Sequence, residues 1–178
     1  MKRYFALALF GLALSACGQS ASPTNESPAG GASSAMQQTA ARGCALLPDA
    51  SAFFGQTMTG EVNARGAVAD GCRWSTADEL YSAEVMVFTD VSLAGAVSVQ
   101  QNFEGMLVTF SQMTNQPLAP VAGLGIAAQR ADMGRRMSQI AFYKDGVGVL
   151  VSVNTPTPES ESPPALAERL ARAIDAQL

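Results

Sequence analysis

The sequence predicts an α+β domain, with an antiparallel sheet of about five strands covered by two to three helices. Three observations carry this. Strand-like runs at 125–131, 136–143 and 147–154 follow one another through short turns, which makes neighbours antiparallel. A separate strand-turn-strand pattern occupies 71–90. Helical spacing of apolar residues is confined to 91–110 and to the final segment ESPPALAERLARAIDAQL. Helices segregated from runs of strands cover a sheet rather than alternate with it.

The elements follow in order. In LLPDASAFFG, Pro48 suits a first helical turn, Asp49 its positive end and Gly55 its C-terminal cap, so a short helix is expected over 48–54 with Phe53 or Phe54 turned inward. In the 71–90 hairpin, Cys72 and Trp74 are two apart and share a face. Tyr81, Ala83, Val85 and Val87 form one apolar face of its second strand. Met86 and Phe88 make the other face apolar toward the end, which marks a central strand. Val99, Phe103, Met106 and Phe110 fall on one helical stripe, with Asp90 or Ser92 as the expected cap and core packing as the expected role. Residues Asn115 to Pro120 read as a loop. Lys144-Asp145-Gly146 signals a hairpin turn, and Val147, Val149, Val151 and Val153 make one clean face. In the last helix Ser162 caps and Pro163 opens. Leu166, Leu170, Ala173 and Ile174 form its stripe, and Glu168 pairs with Arg172.

Ahead of this globule lie two segments of different character. Residues 1–16 join a basic start, Lys2 and Arg3, to an apolar run from Tyr4 to Leu14 that is about half the roughly 20 residues a membrane span needs. This describes a cleaved leader. Leu14-Ser15-Ala16-Cys17 resembles the lipobox of bacterial lipoproteins. The resemblance implies a lipidated Cys17 that holds the chain to a membrane without a spanning helix. Gly18 stands where an aspartate would resemble an inner-membrane retention mark, which favours the outer membrane. Residues 17–43 then read as the lipidated cysteine and a disordered Ser/Ala/Gly/Pro tether, with a span of about 25–30 Å. The globule is expected over 44–178.

Cysteine counting follows. Three cysteines are odd for an exported chain, and assigning Cys17 to lipid leaves Cys44 and Cys72 to pair. A loop of that size stabilises by roughly 3.5 kcal/mol in the chain-entropy model.

The segments CALLPDASAFFG, GCRWS and VAGLGIAAQ, with the Val-rich strand and the final Ala/Leu helix, resemble a group of small bacterial lipoproteins best known from actinobacteria. That resemblance implies a PsbP-like sandwich over nearly all of 44–178. It brings no catalytic residue.

Function classes narrow by exclusion. The chain has 178 residues, a formal net charge of −4 and no histidine. An acidic chain is poorly matched to phosphate backbones, so no nucleic acid is expected. Without histidine, Ser-His-Asp and Cys-His nucleophiles are excluded, and two cysteines are too few for a zinc site. No cofactor, metal or catalytic residue is expected. Gly123-Leu124-Gly125-Ile126-Ala127-Ala128 fits a dinucleotide pattern, but it has no strand before it and no helix after it, so it reads as a turn. Asp78 and Glu79 would point to opposite faces of a strand, and Arg135 and Arg136 read as a solvated turn. The expectation is a non-catalytic binding or accessory module that meets an envelope protein or a small apolar ligand. The alternative is a small carboxylate-dependent hydrolase of the envelope, which requires a deep cleft with carboxylates about 5–10 Å apart.

Overall fold

The computed structural model describes residues 42–47, 49–64, 70–156 and 161–178. The leader, Cys17, most of the expected tether and Pro48 lie outside the described residues. Arg42 and Gly43, counted with the tether in the sequence, belong to a helical turn, α1, over residues 42–46. The elements then run α2 (Ser51–Phe54), β1 (Thr59–Ala64), β2 (Asp70–Ser75), β3 (Ser82–Thr89), α3 (Val99–Thr114), β4 (Ala119–Pro120), β5 (Ala127–Met133), β6 (Met137–Lys144), β7 (Val147–Asn154) and α4 (Pro163–Asp175).

The class is α+β, with one sheet in the order β1-β2-β3-β7-β6-β5-β4. Every neighbouring pair is antiparallel. The sheet has seven strands rather than about five. β1 was not legible because Thr59-Gly60-Glu61-Val62-Asn63-Ala64 carries one large apolar residue, Val62, and that residue is exposed. β1 is an edge strand with little to bury. β4 is two residues ending in proline, which suits an edge.

Side chains alternate between two faces. The first face carries Cys72, Trp74, Ala83, Val85, Val87, Ile140, Phe142 and the four valines of β7, all buried under α4, α1 and α2. Leu166, Leu170 and Ile174 of α4 fill it as the helical stripe requires. Ala167 and Ala171 are buried with them, whereas Ala173 is only half-buried. Phe53 and Phe54 both pack against this core, and the Phe54 ring stands edge-on to Tyr81. Arg169 joins α4 to α2: its guanidinium lies 5.2 Å over Phe53, donates to the Phe53 carbonyl at 2.6 Å and pairs with Glu161. The Cys44–Cys72 disulfide, which closes a separation of 28 residues, ties α1 to β2.

α3 covers the second face over β5, β6 and β7. Val99, Phe103 and Phe110 are buried there with Ala131, Ala141 and Leu150, and Met106 is partly buried. The helix starts at Val99, the first residue of its stripe, eight residues after the start of the expected span 91–110. Residues 91–98 form turns instead, held by reciprocal Thr89–Ser92 hydrogen bonds. Ser98 is the cap, in a capping box with Gln101. Asp90 still serves the helix end by accepting from the Val99 N–H at 3.3 Å.

Asp78 and Glu79 lie in the β2–β3 connection, not on a strand, and Glu79 has a positive φ of 58°. The Thr76 hydroxyl donates to Asp78 at 2.6 Å and the Leu80 N–H at 3.2 Å. Together they hold the Asp78 carboxyl below its ordinary value, the Thr76 bond contributing most. The folded group thus has the lower pKa. Its contribution to stability is present above the unfolded aspartate pKa and is lost as pH falls through the folded value. In a carboxyl NMR titration Asp78 should titrate below its own midpoint in the urea-unfolded chain, and the Leu80 amide should shift with it. Equal midpoints would refute the turn's hold on Asp78.

Candidate functional site

The antiparallel register aligns residues from six strands into rungs on the second face. One rung runs Glu61, Arg73, Glu84, Ser152 and Gln139 across β1, β2, β3, β7 and β6. The next runs Ser75, Ser82, Asn154, Met137 and Met133 across β2, β3, β7, β6 and β5. α3 lies over β5 to β7 and ends at Thr114; on β3 its cluster takes in Phe88 and Met86, and the rungs through Glu84 and Ser82 form the floor of an open trough beside its last turn.

The trough has a volume of about 410 Å³. Its floor is polar at one end, through Arg73, Ser82 and Glu84, and its other end is walled by Met113, Met133 and Met137. Asn63 Nδ2 donates to Glu84 Oε1 at 2.6 Å, which orients that carboxylate. Gln139 Nε2 donates to the Ser152 hydroxyl at 2.9 Å, while buried Gln139 Oε1 accepts nothing among the described residues. Met113 is 64% exposed at the rim. A separate, shallower pocket of about 420 Å³ lies along α3 toward its start, between Met106, Phe110 and Leu150.

Chemically, the cavity is lined by one guanidinium, one carboxylate, four uncharged polar side chains and three thioethers. Its carboxylate is Glu84, and Glu61 stands on the same rung on the other side of Arg73. No group of three or more His, Cys, Asp or Glu is placed to hold a metal ion among the described residues.

The sequence motifs fall elsewhere. Cys72 and Trp74 lie side by side on the opposite face, near a cavity of about 260 Å³ that also meets Cys44 and Asp49. The Gly-Leu-Gly segment is a turn that leads into β5, not into a helix. Arg172 clamps it by donating to the carbonyls of Ala122 and Gly123 at 3.1 and 3.2 Å. The same Arg172 pairs with Glu168 at 2.6 Å. Glu168 lies 3.9 Å from Arg130, which pairs with Asp132, and Asp132 accepts from buried Ser138. This chain of charges is a structural clasp between α4 and the β5–β6 hairpin. Arg135 and Arg136 are exposed in the β5–β6 turn. Cys17 lies outside the described residues.

The trough was not legible in the sequence. Its charged pair comes from adjacent strands, and its methionines come from α3, β5 and β6. Only the strand register brings them together. The chain matches no protein-family model, no curated protein and no solved structure in these comparisons. No helix among the described residues is long and apolar enough to cross a membrane.

Proposed function

We propose that the chain is a membrane-anchored envelope lipoprotein whose globule is a non-catalytic binding or accessory module, with the trough beside α3 as its binding site. The observation that carries the binding role is the half-covered second face. A polar rung with one cation and one carboxylate lies open against an adaptable methionine wall. The anchor rests on the leader and on Leu14-Ser15-Ala16-Cys17, and Gly18 favours the outer membrane. Two chains or more on one cysteine give a stable membrane attachment where one does not. Helices on both faces of an antiparallel sheet are compatible with the PsbP-like sandwich and the small lipoproteins that the cysteine and Gly-Leu-Gly motifs resemble.

The test is photo-crosslinking in native membranes, with a benzophenone side chain placed at Ser82 on the trough floor or at Gln100 on the exposed side of α3. A specific adduct from Ser82 and none from Gln100 is the expected result. Equal labelling from both would overturn the trough as the binding site. In the same membranes, Cys17→Ala should leave an uncut precursor that no longer fractionates by lipidation. A processed, membrane-bound Cys17→Ala chain would overturn the anchor.

A further inference from the structure

Six methionines fall in the described residues, and five of them, all but Met58, lie on the second face around α3. Three of the five, Met113, Met133 and Met137, line one end of the trough. Met133 and Met137 are direct cross-strand partners that close the β5–β6 hairpin. Their Cβ atoms are thus roughly 4.5–5.5 Å apart. Met113 reaches the same space from the last turn of α3. Each thioether sits at the end of three rotatable bonds, so the sulfurs can converge without moving the backbone.

Packing alone does not account for this placement. Met113 is 64% exposed, so its side chain fills no core gap. Among the described residues no stronger soft ligand competes: there is no histidine, and Cys44 and Cys72 are bonded to each other, while Cys17 is replaced by serine in the chain used for the test below. Soft thioethers select Cu(I) over the harder divalent ions. A thioether also has no proton to lose, and it does not oxidise to a disulfide in a compartment that pairs Cys44 with Cys72. Arg73, the trough's cation, lies three strand spacings away from β6, about 14 Å, with Glu84 between.

We propose that Met113, Met133 and Met137 form a three-thioether site for a soft monovalent cation, Cu(I). This deepens the proposed function by naming an occupant for one end of the trough, and so rests on the trough being a ligand site. It does not depend on the anchor. Binding involves no electron transfer and releases no proton, so affinity should not vary between about pH 5 and 8, unlike that of thiolate or imidazole sites.

The test uses the full-length chain carrying Cys17→Ser in detergent, with methionine ε-methyl groups labelled with carbon-13, and Ag(I) as a redox-inert probe for Cu(I). Titration should shift the methyl signals of Met113, Met133 and Met137 and saturate at one equivalent, with Met58 unmoved. Cu(I) held against a competing chelator under anaerobic conditions, with ascorbate as a reductant that leaves the Cys44–Cys72 disulfide closed, should bind with the same stoichiometry. Each single Met→Leu substitution should weaken binding by at least the roughly tenfold that loss of even an outer partner costs. The triple variant should abolish it. Met→Leu conserves volume, so a thermal melt separates lost binding from lost folding. No shift at one equivalent, a shift spread over all methionines including Met58, or an undiminished affinity in a folded triple variant would each overturn the site. Those results leave the Ser82 crosslink intact if the trough binds something else, so the two readings fail separately.

Discussion

Replacing Gly125 by alanine is expected to destabilise the domain by about 3 kcal/mol or more, a core-sized loss from an exposed position. Two effects add. Gly125 has φ +56°, where any other L-residue costs roughly 1–2 kcal/mol. Its missing Cβ would also stand 2.5 Å from the Tyr143 carbonyl oxygen and 3.2 Å from the Phe142 ring. The carbonyl is backbone and already accepts from the Ile126 N–H at 2.8 Å, so it cannot move without opening the end of β6. Phe142 is fully buried, so the strain reaches the core. Gly123, two residues earlier, is the internal control. It has φ +66°, but only the Arg172 side chain comes near, at 3.9 Å. Gly123→Ala should therefore cost only the conformational part. Urea unfolding of both variants checks this: the midpoint should fall much further for Gly125→Ala. Equal losses would mean that the contact with Tyr143 carries no weight.

Removing the disulfide, as Cys44→Ala with Cys72→Ala, should lower stability by about 3–4 kcal/mol. For a domain of this size that is a fall in melting temperature on the order of 10–15 °C. The loop it closes holds α1, α2 and β1 against the sheet. Beyond the bond, β1 is held as an edge strand on β2 alone, and α1 and α2 by the burial of Leu46, Leu47 and Ala50 and by polar contacts: the Met58 N–H to Ser51 Oγ, Gln177 to the Leu46 carbonyl and the Arg169–Phe53 contacts. Hydrogen exchange should therefore rise first in β1 and spread to β2, with β6 and β7 least affected. The denatured, unreduced protein should show no free thiol from Cys44 or Cys72. Two titratable thiols there, or a double variant with an unchanged melt, would contradict the staple.

What the sequence disclosed depended on burial. β7 announced itself because four valines alternate toward one covered face, and all four are buried. α4 was legible for the same reason, from Pro163 to Ile174. The start of α3 was misplaced because its apolar stripe does not mark the helix end. The Ser98–Gln101 capping box does, and it lies in plain view in the sequence. β1 and β4 escaped because edges bury little. The trough escaped for a different reason. Glu61, Arg73 and Glu84 look like scattered surface charges until the register makes them neighbours. Met86 and Met106 fit a strand face and a helical stripe in the sequence, whereas Met113, Met133 and Met137 carry no pattern that joins them before the fold does. The cysteine pair, by contrast, followed from counting and stands in the structure.

The bond from Gln177 Nε2 to the Leu46 carbonyl, 2.9 Å, brings the end of the last helix to the root of the first. Both lie on the layer opposite the trough. The two ends of the folded unit are thus neighbours, and a circular permutant that joins them and opens at Asp145-Gly146 should keep its sheet order. A bulky label at the carboxyl end would crowd the first described residues of the globule and leave the trough unobstructed.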